Sequence, residues 1–234
     1  MKPIFTKLYL KIKKYFILFF LTSLALVQFY GLVGPINITP LMLERSWESC
    51  FAATSCQWRL QKTVPLSDIS AQLIRAVVSL EDPHFYLHHG FDWKSIYHAY
   101  HLNQKRKDKI GASTISQQTA KNIFLLPWKT YSRKLLEAYF TLLIETLWSK
   151  DQILLHYLNV IEWGPHIFGI EAASQKYFRK SAKKLNRLEA IRLAAMLPNP
   201  RKFNPVRPGP LFLGRQIAAE KRIRNTVLPT TVKK

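Results

Sequence analysis

At 234 residues the chain has room for one sizeable domain and an appendage, not for two ordinary enzymatic domains. A hydrophobic content of 48% excludes a chain disordered throughout. Lys and Arg number 35 against 14 Asp and Glu, and the formal charge of +21 calls for an anionic partner: nucleic acid, phospholipid headgroups or a phosphate-bearing substrate.

Residues 15–33, YFILFFLTSLALVQFYGLV, contain no charged side chain. As a helix they reach ~28 Å, close to the hydrocarbon thickness of a bilayer. Lys2, Lys7, Lys11, Lys13 and Lys14 all precede them, which orients the N-terminus to the cytoplasm. A cleaved signal peptide is the competing reading, but its apolar core is shorter, ~7–15 residues, and no clear small-x-small site follows. Residues 1–14 are therefore read as a cytoplasmic basic segment and 15–33 as a single-pass transmembrane anchor, with the body of the protein outside the cytoplasm. That placement argues against DNA or RNA as the anion. Cys50 and Cys56 are the only cysteines. An extracytoplasmic site permits a disulfide between them, and free thiols are an equal reading.

Residues 34–66 carry prolines and polar residues without a strong period and read as a membrane-proximal linker. From Ser70 the pattern is helical: AQLIRAVVSLED puts Leu73, Ile74, Val77 and Val78 on one face, with Ser70 at the N-cap. A turn at His89-Gly90 precedes a helix from Asp92 to about Asn103, and QKRKDK reads as an exposed loop. GASTISQQTAKN, residues 111–122, is dense in neutral hydrogen-bonding groups, with Lys121 its only charge, and starts a helix at Ser113 or Thr114. In residues 131–159, Leu135, Leu136, Tyr139, Phe140, Leu143, Ile144 and Leu147 recur at helical steps and predict a buried face. Ser149 to Gln152 has capping-box spacing, which breaks this run into two helices. Further helices are expected at 168–178 and 187–197, the latter with Asn186 and Glu189 at capping spacing. No run alternates as a strand would.

EDPHFYLHHGFD (81–92), GASTISQQTAKN (111–122), RKLLEAYFTLLIE (133–145), SKDQILLHYLN (149–159), FGIEAASQKYF (168–178) and LEAIRLAAMLPNPRKFNP (188–205) occur in the order seen in family 51 glycosyltransferases, the enzymes that polymerise the glycan strands of peptidoglycan. The resemblance covers 67–205, read as the glycosyltransferase domain, and leaves 206–234 as a C-terminal tail. It implies a mainly α fold: a lysozyme-like helical head with a smaller membrane-associated jaw, beside the N-terminal transmembrane helix. It further implies lipid II and the growing lipid-linked glycan chain as partners, membrane lipids around the jaw, and no nucleic acid. Cell-wall synthesis proteins are candidate partners. The implied location is the inner (cytoplasmic) membrane with the catalytic domain on the periplasmic side.

In that family the Glu of E-D-x-x-F is the general base, which falls on Glu81, and the Glu of R-K-x-x-E falls on Glu137. The resemblance places Asp82, Phe85, Ser113, Thr114, Gln117, Gln118, Lys121, Asn122, Lys129, Arg133 and Lys134 with the substrate. The chemistry suits these residue types. A carboxylate can take the acceptor hydroxyl's proton, attack opposite the leaving group inverts the anomeric centre, and fixed cations stabilise a departing pyrophosphate. Glu137 would orient those cations or hold a divalent metal. No cofactor is required by this reading, and Mg or Mn at the pyrophosphate is compatible with it. The helix N-terminus near Thr114 would add its partial positive charge toward the anion.

Plainer readings compete. Glu81-Asp82 could end a helix in a salt bridge, and Glu137 could pair with Arg133 on an exposed turn. Asp82 and Glu145 also read as structural pairs. His84 and His88 stand at i, i+4 but lack the acid ligands of a zinc site. Tyr139, Phe140, Trp148 and Tyr157 read as core, while Phe124, Leu125 and Leu126 fit either core or jaw. Lys129 stands where the family usually has Arg, and Arg192 where it usually has an apolar residue, a snorkelling side chain being the only account of it. A membrane-anchored muramidase and a non-catalytic scaffold are the rival functions.

Overall fold

The computed structural model describes residues 2–34, 36–52, 60–106, 110–128 and 130–224. It divides after Gly34 into two compact units. The first is α1 (Lys2–Val33), whose Thr6–Val33 portion is long and apolar enough to cross a membrane.

The second unit is helical with one small sheet. α2 (Pro40–Ala52) occupies the stretch expected as linker. Met42 and Ser46 are buried on it while Leu43, Trp47 and Phe51 are exposed, so apolar residues occupy both faces and no single period emerges from the sequence. Cys50 is disulfide-bonded; Cys56 lies outside the described residues. α3 (Ala71–Glu81) buries Leu73, Ile74, Val77 and Val78 as its period predicts. Ser70 precedes it without a capping hydrogen bond, because its hydroxyl donates instead to the Leu185 carbonyl at 2.9 Å. α4 (Trp93–Asn103) is capped by Asp92, α5 (Ile115–Phe124) by a Thr114/Gln117 box, α6 (Tyr131–Leu147) by Thr130, and α7 (Lys150–Val160) by a Ser149/Gln152 box. α8 (Ile170–Phe178) follows, then α9 (Arg187–Met196), whose cap is the Asn186/Glu189 box.

α10 (Pro210–Arg224) lies in the segment expected as tail and packs on α3 and α9. Arg192 finds its place there, with Nε donating to Gln216 Oε1 on α10 at 3.3 Å, so it joins two helices rather than snorkelling. The sheet that sequence periodicity missed consists of β1 (Leu60–Gln61), β2 (Glu162–Gly164) and β3 (Ile167–Phe168), in the order β1-β3-β2. Strands this short carry too few residues to alternate. Gly169 turns β3 into α8 at φ +79°, where a Cβ would meet the Asn159 carbonyl oxygen at 2.9 Å. Asn159 in turn pairs both its amide atoms with the backbone of Val64 at 3.0 Å, tying the segment after β1 to α7.

α6 differs from its expected face. It buries Phe140 and Ile144 as expected, together with Glu137 and Thr141, while Leu135 and Leu136 of the expected face are exposed. The helix is rotated so that a carboxylate, not a leucine, faces inward.

Candidate active site

α3 and α5 bring the candidate base to its place. Glu81 is the last residue of α3, and Asp82 behind it is buried, accepting from the Ile115 backbone amide and from His88 Nε2, each at 3.0 Å. Asp82 therefore fixes the start of α5 against the end of α3, and it also lines a hollow beside Glu81. Gly90 supports the same junction: its carbonyl accepts from Thr114 Oγ1 at 2.6 Å, and its φ of +88° and the 2.9 Å approach of Thr141 leave no room for a Cβ.

Along α5, Gln118, Lys121 and Asn122 follow at i, i+3 and i+4 and so share one face. All three line a cavity of about 360 Å³ with Arg45, Arg133, Tyr157 and Glu162. Gln118 reaches the base: its Nε2 donates to Glu81 Oε2 at 2.9 Å, and its Oε1 accepts from the Tyr157 hydroxyl at 3.1 Å. Tyr157, expected only as core, thus fixes which way the Gln118 amide points. Its full burial could have signalled this, since a buried phenol seeks a partner.

Glu81 lines two further hollows with Arg222 of α10: one of about 490 Å³ with Ser113, Lys94 and His98, the other of about 210 Å³ leading to Pro198. Pro198 also lines the Lys121 cavity, so the smallest hollow shares Glu81 with one neighbour and Pro198 with the other. Burial raises the Glu81 pKa, and the Gln118 hydrogen bond and the charges of Arg222 and Lys121 oppose it. Arg222 had no signal in the sequence, because only the packing of α10 brings it here. Lys121 is held below the usual lysine value, first by burial and then by the neighbouring Arg133 and Lys134, against the attraction of Glu137.

Glu137 is 3% exposed and its two oxygens are both taken, one by Arg133 Nη1 at 2.6 Å and the other by Lys134 Nζ. Its charge is thus spent on orienting cations. Among the described residues no group of three or more His, Cys, Asp or Glu side chains could hold a metal ion. His84 pairs with Asp92 at 2.7 Å and His88 with Asp82, each a two-residue contact. Asp92, which also takes the Ser95 amide and hydroxyl, falls to a pKa of about 2.

Several expected substrate contacts are used internally. Phe85 is fully buried and stacks edge-on with Tyr86, so it is core. Thr114 and Gln117 are buried and bonded to each other in the capping box. With the Gln117 amide on Thr114 and the Ile115 amide on Asp82, the α5 N-terminus is occupied from within and is not aimed at a ligand. Ser113 is exposed and lies on the Glu81 side of the cleft, not with Lys121. Glu145 accepts from Ser116 and Lys150, as a structural pair would. Lys129 lies outside the described residues.

Comparison with known proteins follows the same outline. The transglycosylase family model matches residues 49–230, extending beyond 67–205 at both ends and taking in α10. A biosynthetic peptidoglycan transglycosylase of Bdellovibrio bacteriovorus is 48% identical over 226 residues, covering 95% of this chain and 86% of that protein. Those of Pseudomonas aeruginosa and Bacteroides thetaiotaomicron are 44% identical over 216 residues and 41% over 215, covering 91% and 92% of this chain and 90% and 86% of theirs.

Proposed function

This chain belongs to the transglycosylase family, and from that premise we propose that it polymerises lipid II into peptidoglycan glycan strands, with Glu81 as general base. One observation carries the residue assignment: Glu81 lines two adjoining hollows, its carboxylate aimed by Gln118, which itself lines the Lys121 cavity, and its pKa raised by burial. A base of raised pKa holds a proton more readily at the moment of transfer.

The hollow of Ser113, His98 and Arg222 receives the acceptor sugar, and the cavity of Lys121, Asn122 and Arg133 the donor pyrophosphate. The acceptor 4-hydroxyl gives its proton to Glu81 as its oxygen bonds to the donor anomeric carbon from the face opposite the pyrophosphate. The bond from that carbon to the pyrophosphate oxygen breaks, its electron pair leaves with the phosphate, and the centre inverts. Lys121, Arg133 and Lys134 meet the developing charge, the latter two held in place by Glu137. No step is routed through a metal, and polymerisation that survives exhaustive chelation is the expected result.

α1 supports a single-pass anchor in the cytoplasmic membrane, and the lysines before residue 15 support a cytoplasmic N-terminus with the second unit on the outer side. Exposed Trp128, Tyr131 and Leu135 support a jaw in contact with lipid.

The test is detergent-solubilised protein with fluorescent lipid II, beside Glu81→Gln, with products separated by size. Muramidase-sensitive polymer from the wild type alone is expected. A wild type that binds lipid II without polymerising it would point to a scaffold, and one that cleaves preformed glycan to a muramidase.

A further inference from the structure

The side chain behind the base has two unlike ends. Gln118 donates from Nε2 to Glu81 Oε2 at 2.9 Å and accepts on Oε1 from the Tyr157 hydroxyl at 3.1 Å. Among the described residues Gln118 is the one hydrogen-bond partner of that hydroxyl. Tyr157 is fully buried on α7, and burial holds its phenol well above the ordinary value, so it remains an O–H donor at working pH.

A glutamine amide can turn over about its last side-chain bond and exchange its donor and acceptor ends. At this site the exchange is blocked. Turned over, Gln118 would aim its NH2 at Tyr157, and the buried phenol proton would lose its acceptor. Tyr157 therefore commits Gln118 to presenting N–H to the base. That N–H favours Glu81 as the carboxylate and gives the O–H of a protonated carboxyl no acceptor. The other groups around Glu81 act by charge: Asp82 beside it, Lys121 on α5, and Asp92, Lys94, His98, Arg215 and Arg222 along the hollows it lines. α9 brings only Ala194 and Ala195 to the smaller hollow. None of these charges depends on which way the Gln118 amide points.

We propose that Tyr157 is a positioning residue that resets the base: by locking Gln118 in its donor orientation, it makes Glu81 shed the proton collected in each round. The inference rests on the polymerase reading, in which Glu81 takes one proton per glycosidic bond and has to be a carboxylate again before the next acceptor hydroxyl reacts. In the reset the Glu81 O–H bond breaks, its electron pair stays on the carboxylate, and the proton passes to water in the hollow of Ser113 and His98. Gln118 meets the regenerated carboxylate in the orientation it already holds, so no side chain has to move between rounds. Tyr157 acts through Gln118 and not on the substrate.

The experiment records pH profiles of lipid II polymerisation by the full chain in detergent, for wild type, Tyr157→Phe, Gln118→Leu and the double variant. Beside them, infrared titration follows the Glu81 carboxyl, identified by its absence in Glu81→Gln, and needs no turnover. Melting temperatures check the fold. Tyr157→Phe should move the acid limb of kcat and the carboxyl titration upward together by about one pH unit. Turnover on the acid side then falls about 10-fold, while the plateau rate and KM stay close to wild type. Gln118→Leu should raise the titration by itself, and adding Tyr157→Phe to it should move neither readout further, because the phenol then has nothing to orient. A merely structural Tyr157 would lower the melting temperature without that dependence. An unmoved titration in Tyr157→Phe, or a shift of equal size with Gln118 already replaced, would overturn the proposal; so would an unmoved titration in Gln118→Leu, whether or not Tyr157→Phe folds. A wild type whose carboxyl responds in this way but makes no polymer would sink the polymerase reading and leave the amide lock standing. A wild type that polymerises while its Glu81 titration ignores Tyr157 would do the reverse.

Discussion

Two carboxylates in this cleft are treated in opposite ways. Glu137 is buried with both oxygens saturated by cations, whereas Glu81 meets the cleft with one neutral donor, Gln118, on one oxygen. The first is a fixed counter-charge, each of its oxygens already bound to a cation. The second is desolvated without being neutralised, which is the condition that lifts a carboxyl pKa and makes it useful as a proton acceptor. Both residues are glutamates in helices, and their surroundings alone separate the roles.

The sharpest way to break this contrast is Glu81→Gln, which should lower polymerisation at least about 10²- to 10⁴-fold while lipid II binding persists. A loss of binding instead of turnover would make Glu81 a structural anchor. Glu137→Gln should come next. Removing the shared anion frees Arg133 and Lys134 and deprives Lys121 of its attraction, so the rate should fall by about 10²-fold. The melting temperature should fall as well, because cations are left beside a buried neutral group. A variant with wild-type turnover would show that the cations need no such orientation.

Arg222→Gln tests the other side of the comparison. Its charge lowers the Glu81 pKa, so its loss should raise that pKa and move the acid limb of the kcat/KM profile to higher pH. An unmoved limb would detach α10 from the chemistry.

The smallest effect concerns a third buried group, His156, whose Nδ1 has no hydrogen-bond partner among the described residues and whose ring packs on Trp148 at 4.5 Å. Burial lowers its pKa from 6.5 to about 4. Above pH 6.5 it is neutral in both states and costs nothing. Between 6.5 and 4 the unfolded chain takes up a proton that the folded one refuses, so stability falls with pH by up to ~3 kcal/mol. His156→Leu should flatten that part of the stability curve, measured by denaturant unfolding at pH 7 and pH 4.5; an unchanged slope would assign the acid sensitivity elsewhere.

Much of this arrangement could be read from the chain itself. Thr114 with Gln117, Ser149 with Gln152 and Asn186 with Glu189 announce their helices because each box is a local device closed within four residues. Glu81, Gln118 and Lys121 were likewise legible, since motif and helical spacing put them together. What escaped depends on distant partners. Arg45 and Arg222 enter the cleft from segments that read as linker and tail, and only the packing of α2 and α10 places them. Phe85 belongs to the right motif but serves its framework, a distinction visible only in burial. Leu135 follows the apolar period of α6 yet faces outward, because the helix spends its inward face on Glu137.

The bonds from Tyr157 to Gln118 to Glu81 resemble a wire, but their middle member is an insulator. An amide nitrogen donates a hydrogen bond without passing its proton on, and the Tyr157 phenol is itself held well above its ordinary pKa, first by burial and then by the charges of Glu81 and Asp82. The base is therefore aimed from behind by a chain that cannot protonate it. Any proton reaching Glu81 has to come through the open cleft, and after each transfer it has to depart by the same door.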